Sequence, residues 1–435
     1  MNPKKRICHL PPCLILSKNK KLIGPFQIKT EDKLIIAVEG KKGVTIRDDW
    51  KLDGIDFPFP VAIPGLLDMH VHFRMPGGEE SEDFHSASKA MAKGGILHAL
   101  GMANTKPVID NMKIWGMYSR KAKEFLDINL VSSITKGLSG EELVDIEGLA
   151  DEGVLAFSDD GRPLKSEKLR EALERLKQFK KPVLVHEEDL DLSSTGAVLA
   201  SDLARNLKLD EINKEFEVRK IREDLEIVKK TKGKIHFQHV SSKLSVELLR
   251  QAKSDGIEFT AETCPHYLYF TYNDIENDLD TNKKMKPPLG SEEDRKALIN
   301  AIKDGTITVI ASDHAPHREE LKKKSFNEAP FGVIGLETLF PVTCEILIHK
   351  EKLPLSFIID FFTSNPAKIL GLDLRNFLDY KNLSDFILVD FNEPWKVKKD
   401  EILSKSKNSP FIDRKFKTRI IATFNKGKEI YNAYE

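Results

Sequence analysis

The sequence has 435 residues, which suits one large barrel-type domain with an appendage, or two to three domains of ordinary size. Lysine plus arginine and aspartate plus glutamate both number 68, a balance that argues against nucleic-acid binding through bulk positive charge. Hydrophobic residues make up 40% and charged residues 31%, so we expect a sizeable core and exclude disorder throughout. The 4 cysteines are too few for a disulfide scaffold, so the expected setting is a reducing cytoplasm.

The amino-terminal stretch is basic and then apolar, but Pro11 and Pro12 interrupt it. No apolar run in the chain approaches the ~18 residues that a membrane-spanning helix needs. We therefore expect neither an export signal nor a membrane anchor, and we interpret this stretch as the start of a strand.

From residue 61 onward, apolar runs typical of strands alternate with runs of helical period. The strand-like runs are VAIPGLLDMHVHF, ILHALGMANT, INLVSSIT, VLAFSDDG, PVLVHEED, KIHFQHVSS, IEFTAETCPHY and ITVIASDHAPH. The helical runs are SEDFHSASKAMAK, SEKLREALERLKQFK, EFEVRKIREDLEIVKK, SVELLRQAKSDG and SEEDRKALINAIKDG, and the serines that open the last two are suitable N-caps. This alternation predicts a parallel sheet, and eight units in roughly 310 residues favour a closed (β/α)8 TIM-type barrel.

The two ends of the chain have a different pattern. Residues 1–60 are rich in lysine and contain the short strand-like runs KLIIAVEG and GVTIRDD. Residues 374–435 contain FILVDF and RIIATFNKGKEIY, and the Asn-Lys-Gly-Lys stretch of the latter predicts a hairpin turn. We expect the two ends to build one small β-sandwich beside a barrel formed by residues 61–373.

Polar residues cluster where the strand-like runs end, which in such a barrel is where catalytic side chains project. They are Asp68, His70, His72, Arg74, Asn104, Asp159, Asp160, His186, His239, Glu262, His266, Asp313, His314 and His317. Because alternate residues of a strand share a face, His70 and His72 point to the same side. Histidines and carboxylates at one rim are the ligands that zinc or a similar ion prefers. His98 and His236 lie within runs and are interpreted as hydrogen-bonded core residues.

Longer motifs carry a resemblance to a known family. They are PGLLDMHVHFRMPGGEE, MANTKPV, AFSDDG, VHEED, HVSSKLSV, ETCPHYL, KMKPPLGSEEDRKAL, ASDHAPH, APFGVIGLET and LSKSKNSPF. From Pro64 to the carboxyl terminus the sequence resembles the amidohydrolase superfamily and, within it, dihydroorotases of the type that lacks a carboxylated lysine. Hydantoinases and allantoinases share the metal pattern of this superfamily but not this whole set of motifs.

The resemblance implies a centre with two zinc ions. Its implied ligands are His70, His72 and Asp313 for one ion, and His186 and His239 for the other. Asp160 would bridge the two ions, in the place where relatives use a carboxylated lysine. The residues just before Asp160 include no lysine, which favours the aspartate as the bridge.

The resemblance also implies an activity, the interconversion of N-carbamoyl-L-aspartate and L-dihydroorotate in pyrimidine (UMP) synthesis. A metal-bound hydroxide would attack the ring amide carbonyl, with Asp313 as general base and then general acid. The implied substrate contacts are His72, Arg74, Asn104, Lys286 and His317, with the backbone at Phe331 and Gly332. The planar guanidinium of an arginine matches a carboxylate with two parallel hydrogen bonds.

Three positions depart from the pattern of the family. Lys286 stands where the family usually has asparagine before Pro-Pro-Leu, Gly290 stands where it usually has arginine, and Ala103 replaces the usual proline before Asn104. Because that asparagine is a substrate-contacting position, the substrate preference stays open at Lys286.

Two other functions also stay open. The first is a different cyclic amidase, for hydantoins, dihydropyrimidines or allantoin; Arg74 and Asn104 argue against it because they indicate a carboxylate on the ring. The second is a catalytically silent homologue that partners aspartate carbamoyltransferase, but none of the implied metal ligands is missing. The expected assembly is a homodimer or a complex with that enzyme, without nucleic acid or membrane.

Overall fold

The computed structural model describes residues 7–45, 47–50, 57–193 and 195–435. Within the predicted amino-terminal part of the sandwich, residues 1–6, 46 and 51–56 lie outside this description. The strands of this part are β1 (Ile7–His9), β2 (Cys13–Ser17), β3 (Lys21–Glu31), β4 (Leu34–Gly40), β5 (Arg47–Trp50) and β6 (Val61–Pro64).

The middle of the chain forms a ring of parallel strands. The strands of this part of the chain are β7 (Leu66–Val71), β8 (Ile96–Gly101), β9 (Asp127–Leu130), β10 (Phe157–Ser158), β11 (Val183–Val185), β12 (Val198–Leu199), β13 (Glu211–Ile212), β14 (Ile235–Phe237), β15 (Thr260–Thr263) and β16 (Val309–Ile310), and β12 and β13 pair only with each other. All except β12 and β13 pair in the orders β7-β8-β9 and β10-β11-β14-β15-β16. Parallel bridges from Ser132 to Phe157 and from Val71 to His314 join these two groups at both edges, so the pairing closes on itself. Each of the eight predicted runs contributes one strand to this ring.

The helices lie between and after these strands. They are α1 (Phe84–Lys93), α2 (Met112–Ala122), α3 (Ile146–Asp151), α4 (Ser166–Leu176), α5 (Leu190–Ser193), α6 (Asp202–Leu207), α7 (Phe216–Thr231), α8 (Lys243–Ser254), α9 (Pro265–Tyr269), α10 (Glu292–Lys303), α11 (Glu319–Lys322), α12 (Leu339–Thr343), α13 (Leu355–Ile358) and α14 (Ser364–Leu370). The five predicted helices are confirmed as α1, α4, α7, α8 and α10. Among the residues described, none of the helices combines the length and apolarity needed to traverse a bilayer.

The helix caps follow the sequence at α10 but not at α8. Ser291 caps α10 as expected, with its hydroxyl accepting from the Asp294 amide at 3.2 Å. Helix α8 begins earlier than its predicted cap, Ser245, because the Ser242 hydroxyl accepts from the Ser245 amide at 3.1 Å. An oxygen acceptor three residues before a free amide is the usual N-cap geometry, and Ser242 provides it one turn earlier.

Both ends of the chain build a single antiparallel-rich sheet. Its carboxyl-terminal strands are β17 (Phe386–Asp390), β20 (Arg419–Asn425) and β21 (Lys428–Asn432), while β18 (Trp395–Lys396) and β19 (Lys415–Phe416) pair apart. Strand β17 pairs with both β6 and β20, and the predicted hairpin is confirmed as β20–β21. The first predicted run therefore divides, because β6 pairs within this sheet and β7 within the ring. An apolar, β-branched stretch such as β6 fits either sheet, and its partner β17 is distant in the sequence.

Strand β2 shows how this sheet attaches to the barrel. All five of its residues are buried, because the strand is covered on both faces. Leu14 and Leu16 pack into the main core together with the barrel residues, whereas Cys13 and Ile15 pack into a separate core within the terminal sheet. Because alternate side chains of a strand point to opposite faces, β2 contributes to both cores and connects the terminal sheet to the barrel.

Candidate active site

One cavity of about 520 Å³ lies at the carboxyl ends of the ring strands. The predicted site residues that line it are His72, Arg74, Asn104, Asp160, His186, His239, Lys286, Asp313, His317, Phe331 and Gly332. His70 is fully buried beneath the cavity, with its Nε2 3.3 Å from Asp160 Oδ1. The structure therefore brings together the predicted metal ligands and substrate contacts, because parallel strands all deliver their carboxyl ends to one face of the ring. The other strand-end residues named from the sequence, Asp68, Asp159, Glu262, His266 and His314, do not line the cavity.

The first histidine–carboxylate group consists of His70, His72 and Asp313. One ligand atom from each of these buried residues lies within 4.8 Å of the others. Asp313 Oδ1 is 3.3 Å from His72 Nε2 and 3.6 Å from His70 Nε2. Three convergent nitrogen and oxygen donors at these separations could hold a metal ion.

The second group is centred on Asp160 and draws on His70 and His239. His186 belongs to the same cluster, since its Nδ1 is 3.6 Å from Asp160 Oδ1 and 2.9 Å from His239 Nε2. The two oxygens of Asp160 face different partners: Oδ1 faces His70, His186 and His239, and Oδ2 is 3.4 Å from His72 Nε2. Asp160 therefore lies between the two groups.

The carboxylate that is available to bind a metal ion in this cluster is that of Asp160 rather than that of Asp159. Asp159 is occupied, accepting from the amides of Ile134 at 2.6 Å and Thr135 at 3.1 Å. Asp160 Oδ1 is buried and, within the described part of the chain, has no hydrogen-bond partner. A buried carboxylate oxygen without a donor is costly, and a cation would satisfy it. The donor set thus fits a divalent ion.

The charges in the cluster are mutually stabilising. Burial lowers the pKa of His70, but Asp160 and Asp313 outweigh it and raise that pKa well above its usual value. Burial raises the pKa of Asp160, yet His70 and its neighbours bring it well below the usual range. His239 differs, because burial and the adjacent His186 and His70 lower its pKa to about 3. His239 is accordingly neutral at neutral pH.

Beneath the cluster, Glu262 connects two buried histidines. Its Oε1 is 2.7 Å from His70 Nδ1, and its Oε2 is 3.1 Å from His236 Nε2. Burial raises the pKa of Glu262, but His236 and His70 outweigh it and bring the pKa to about 2. A carboxylate on the Nδ1 side of His70 leaves Nε2 turned toward Asp160 and Asp313. The sequence placed Glu262 at a strand end without a role, and His236 is hydrogen-bonded as expected.

Replacement of Glu262 by glutamine is expected to weaken metal binding by about 10- to 100-fold, because it removes the charge that orients His70. Competition with a chromophoric chelator measures this affinity. Glu258→Gln, the same change at an exposed position near the start of the same strand, is the matched control and should bind metal as the wild type does. An affinity for Glu262→Gln within twofold of the wild type would contradict the orienting role.

The rim of the cavity carries the hydrogen-bond donors. Arg74 Nε donates to the Pro316 carbonyl at 3.1 Å, and its Nη2 is 3.4 Å from His317 Nε2. His317 Nε2 donates to the Phe331 carbonyl at 2.7 Å. Burial, followed by the charge of Arg74, lowers the pKa of His317 to about 3, so this ring is neutral. Asn104 Nδ2 donates to Asp160 Oδ2 at 3.0 Å, which ties the rim to the cluster.

Lys286 lies in the cavity wall, with its ammonium 2.5 Å from Glu188 Oε1. It also lies over the Phe331 ring, 4.9 Å from the ring centre. Glu188 Oε2 is in turn 3.3 Å from His186 Nε2. The contact of Glu188 with Nε2 therefore leaves His186 Nδ1 directed toward Asp160. Glu188 is a site residue that the sequence did not single out.

Three residues of the site have a left-handed backbone: Arg74 with φ 57°, His239 with φ 36° and Asp313 with φ 44°. Such conformations are unfavourable for residues other than glycine, and surrounding contacts must hold them. Asp68 supplies one such contact, because its Oδ1 accepts from the amides of His70 at 3.2 Å and Ser312 at 3.0 Å. This carboxylate ties the first strand of the ring to the last.

The family model described as the Amidohydrolase family matches residues 61–430. A protein named Dihydroorotase from Endomicrobium trichonymphae is 42% identical over 374 residues, covering 85% of this chain and 88% of the relative. Another protein of that name, from Clostridioides difficile (strain 630), is 37% identical over 425 residues, covering 97% and 100%.

Solved structures give the same fold at lower identity. The L-hydantoinase (dihydropyrimidinase) of Arthrobacter aurescens has a TM-score of 0.79 and 22% identity, covering 98% of this chain and 96% of that one. The dihydropyrimidinase of Brevibacillus agri NCHU1002 has a TM-score of 0.77 and 19% identity, covering 98% and 95%. Likenesses at this identity concern the fold alone, whereas the family match spans most of the sequence. The chain belongs to the amidohydrolase family.

Proposed function

We propose that this protein is a zinc-dependent dihydroorotase that interconverts N-carbamoyl-L-aspartate and L-dihydroorotate in pyrimidine synthesis, on a (β/α)8 TIM-type barrel with a β-sandwich. The observation that carries the proposal is one cavity holding both a histidine–carboxylate cluster and Arg74 beside His317. Relatives named Dihydroorotase, matched over nearly the whole chain, support it. The proposed segments are 1–60 and 374–435 for the sandwich and 61–373 for the barrel, with β6 pairing into the sandwich sheet.

The proposed metal centre holds two zinc ions. Its ligands would be His70, His72, Asp160, His186, His239 and Asp313. The unpartnered Oδ1 of Asp160 and its position between the two groups support a bridging role. Bound zinc would supply Lewis acidity, polarising the ring amide carbonyl and lowering the pKa of water.

The proposed proton carrier is Asp313. Burial raises its pKa, but His70 and the neighbouring histidines bring that pKa well below the usual value, so the carboxylate is ionised at neutral pH. It can therefore take a proton from the attacking water and return it to the ring nitrogen that leaves. In the biosynthetic direction the same residue takes the proton from the attacking carbamoyl nitrogen and gives it to the departing hydroxide, which leaves as water as the ring closes.

The proposed substrate carboxylate binds at the rim. Arg74 offers its guanidinium, and the His317 Nε2–H, which now donates to Phe331, is the donor for which a carboxylate would compete. Asn104, His72, Phe331 and Gly332 also line the cavity. Gly332 has φ 127°, and a Cβ there would lie 2.7 Å from the Cβ of Ala315, so only glycine fits.

Lys286 would act from the wall of the cavity. Its ammonium is paired with Glu188, so the two side chains together add no net charge and Lys286 does not project freely into the cavity. The four free cysteines are consistent with the proposed cytoplasmic location, and a homodimer or a complex with aspartate carbamoyltransferase are the two assemblies that we propose.

Hydrolysis of dihydroorotate and of dihydrouracil by protein of measured zinc content tests the function. Dihydrouracil lacks the ring carboxylate, so we expect dihydroorotate to be preferred by at least about 10²-fold in kcat/KM, the factor expected when a buried charged donor loses its partner. Removal of zinc by a chelator should abolish turnover, and its return should restore it. A preference for dihydrouracil would assign the site to another cyclic amidase, and no turnover with metal bound would identify a silent homologue.

A further inference from the structure

The motif LSKSKNSPF has no role in the chemistry described above, yet it lies against the cavity wall. We call residues 404–411 the strap; they lie between β18 and β19, the two strands that pair apart from the terminal sheet. The Ser404 hydroxyl donates to Glu82, which also lies 3.2 Å from His314 Nε2, and the Ser404 amide donates to Glu337 at 3.1 Å. One end of the strap is thus fixed to loops of the barrel.

Asn408 makes the central contacts of the strap. This side chain is 4% exposed, and its Oδ1 accepts from the His317 amide at 3.2 Å. Its Nδ2 donates to two carbonyls, Ala315 at 3.2 Å and Gly332 at 3.1 Å. Its own carbonyl accepts from the Ile334 amide at 3.1 Å. One buried residue therefore satisfies four backbone groups.

These four groups belong to the two segments that form the proposed carboxylate site. The segment 315–317 carries His317, and the segment 331–334 carries Phe331 and Gly332. Between them the chain runs through α11 and a loop, and the two segments also meet directly, because the Ala315 amide donates to the Val333 carbonyl at 2.8 Å. Asn408 adds side-chain bonds to both segments, and its bond to the His317 amide lies at the end of segment 315–317, beyond the Ala315–Val333 contact.

We propose that Asn408 is a positioning residue that holds the two halves of the carboxylate site at their binding distance. This inference rests on the proposed function and extends it to the carboxyl-terminal part of the chain, which supplies no predicted ligand or substrate contact. The chemistry supports an amide at this position, because only an amide offers an acceptor to an N–H and two donors to carbonyls from one planar group. A carboxylate would set a second oxygen against the carbonyls of Ala315 and Gly332.

Two substitutions at Asn408 distinguish the role of its acceptor oxygen from that of its amide donors. Asn408→Asp keeps the acceptor for the His317 amide and loses both donors, whereas Asn408→Ala loses all three side-chain bonds. We expect both variants to raise KM for dihydroorotate about tenfold or more with kcat within threefold, and to leave KM for dihydrouracil and the zinc content unchanged. Asn277→Asp, the same change at an exposed asparagine, is the control.

Amide hydrogen exchange supplies a readout that does not require turnover. In the wild type the His317 and Ile334 amides should be protected; the His317 amide should exchange at least about tenfold faster in Asn408→Ala but not in Asn408→Asp. Unchanged KM and unchanged exchange in folded variants would overturn the proposal, as would unprotected amides in the wild type if neither variant folds. A wild type that binds zinc but does not hydrolyse dihydroorotate would refute the proposed function alone, and the exchange data would still decide the role of Asn408.

Discussion

Replacing Asp313 with asparagine is expected to lower kcat for dihydroorotate by about 10³- to 10⁴-fold, the upper part of the range for a lost proton-transfer group. Asparagine preserves the shape of the side chain and one acceptor oxygen, but it cannot take and return a proton. Asp313 Oδ1 lies 3.3 Å from His72 Nε2, so the change acts at the centre of the cluster. Steady-state kinetics in both reaction directions should show the same loss, because the same group carries the proton each way.

Metal occupancy separates proton transfer from metal binding in this experiment. Zinc per chain is measured on the same sample, and kinetics are compared at equal occupancy. Asp127→Asn is the matched control, because Asp127 begins β9 at the opposite end of the barrel and bonds to His98 Nδ1 at 2.7 Å. A fully zinc-loaded Asp313→Asn enzyme that retains more than a tenth of wild-type kcat would remove Asp313 from the proton path.

The ring of strands could be predicted from the sequence because each strand is short, apolar and bounded by polar residues. Local pattern decides such elements, and α4 and α10 were equally clear for the same reason. The position of β6 was not predictable, since the sequence of an apolar strand does not indicate which strand it pairs with. Its pairing with β2 and with β17, the latter more than three hundred residues later, assigns it to the terminal sheet.

In the site, likewise, some residues could be recognised from the local sequence, whereas others have roles that depend on contacts between distant segments. His70 and His72 were recognisable because two histidines in one apolar strand share a face, and the structure brings them to Asp313. Glu262 and Glu188 gained their roles only from the fold, which places them against His70 and His186. Likewise Lys286 was identified as a departure from the family, but its pairing with Glu188 depends on two loops that are distant in sequence.

Replacing Arg74 with methionine is expected to lower kcat/KM for dihydroorotate by about 10²- to 10³-fold. The guanidinium can give a carboxylate two charge-assisted hydrogen bonds, and losing them costs roughly 3–4 kcal/mol. The orientation of the Arg74 guanidinium is fixed, because its Nε donates to the Pro316 carbonyl, and its backbone has φ 57°. Arg74→Lys retains the charge but not the planar pair of donors, so we expect it to recover only part of the activity.

Dihydrouracil makes this second experiment specific to the carboxylate. Because that substrate has no ring carboxylate, its kcat/KM should change by less than threefold in Arg74→Met, and the preference between the two substrates should collapse. Arg318→Met is the control for charge alone, since Arg318 follows His317 but is only half-buried, lies outside the cavity lining and is paired with Glu80 at 2.7 Å. Equal losses on both substrates would mean that Arg74 supports the rim through Pro316 rather than binding the carboxylate, and the carboxylate site would then have to be sought at Lys286.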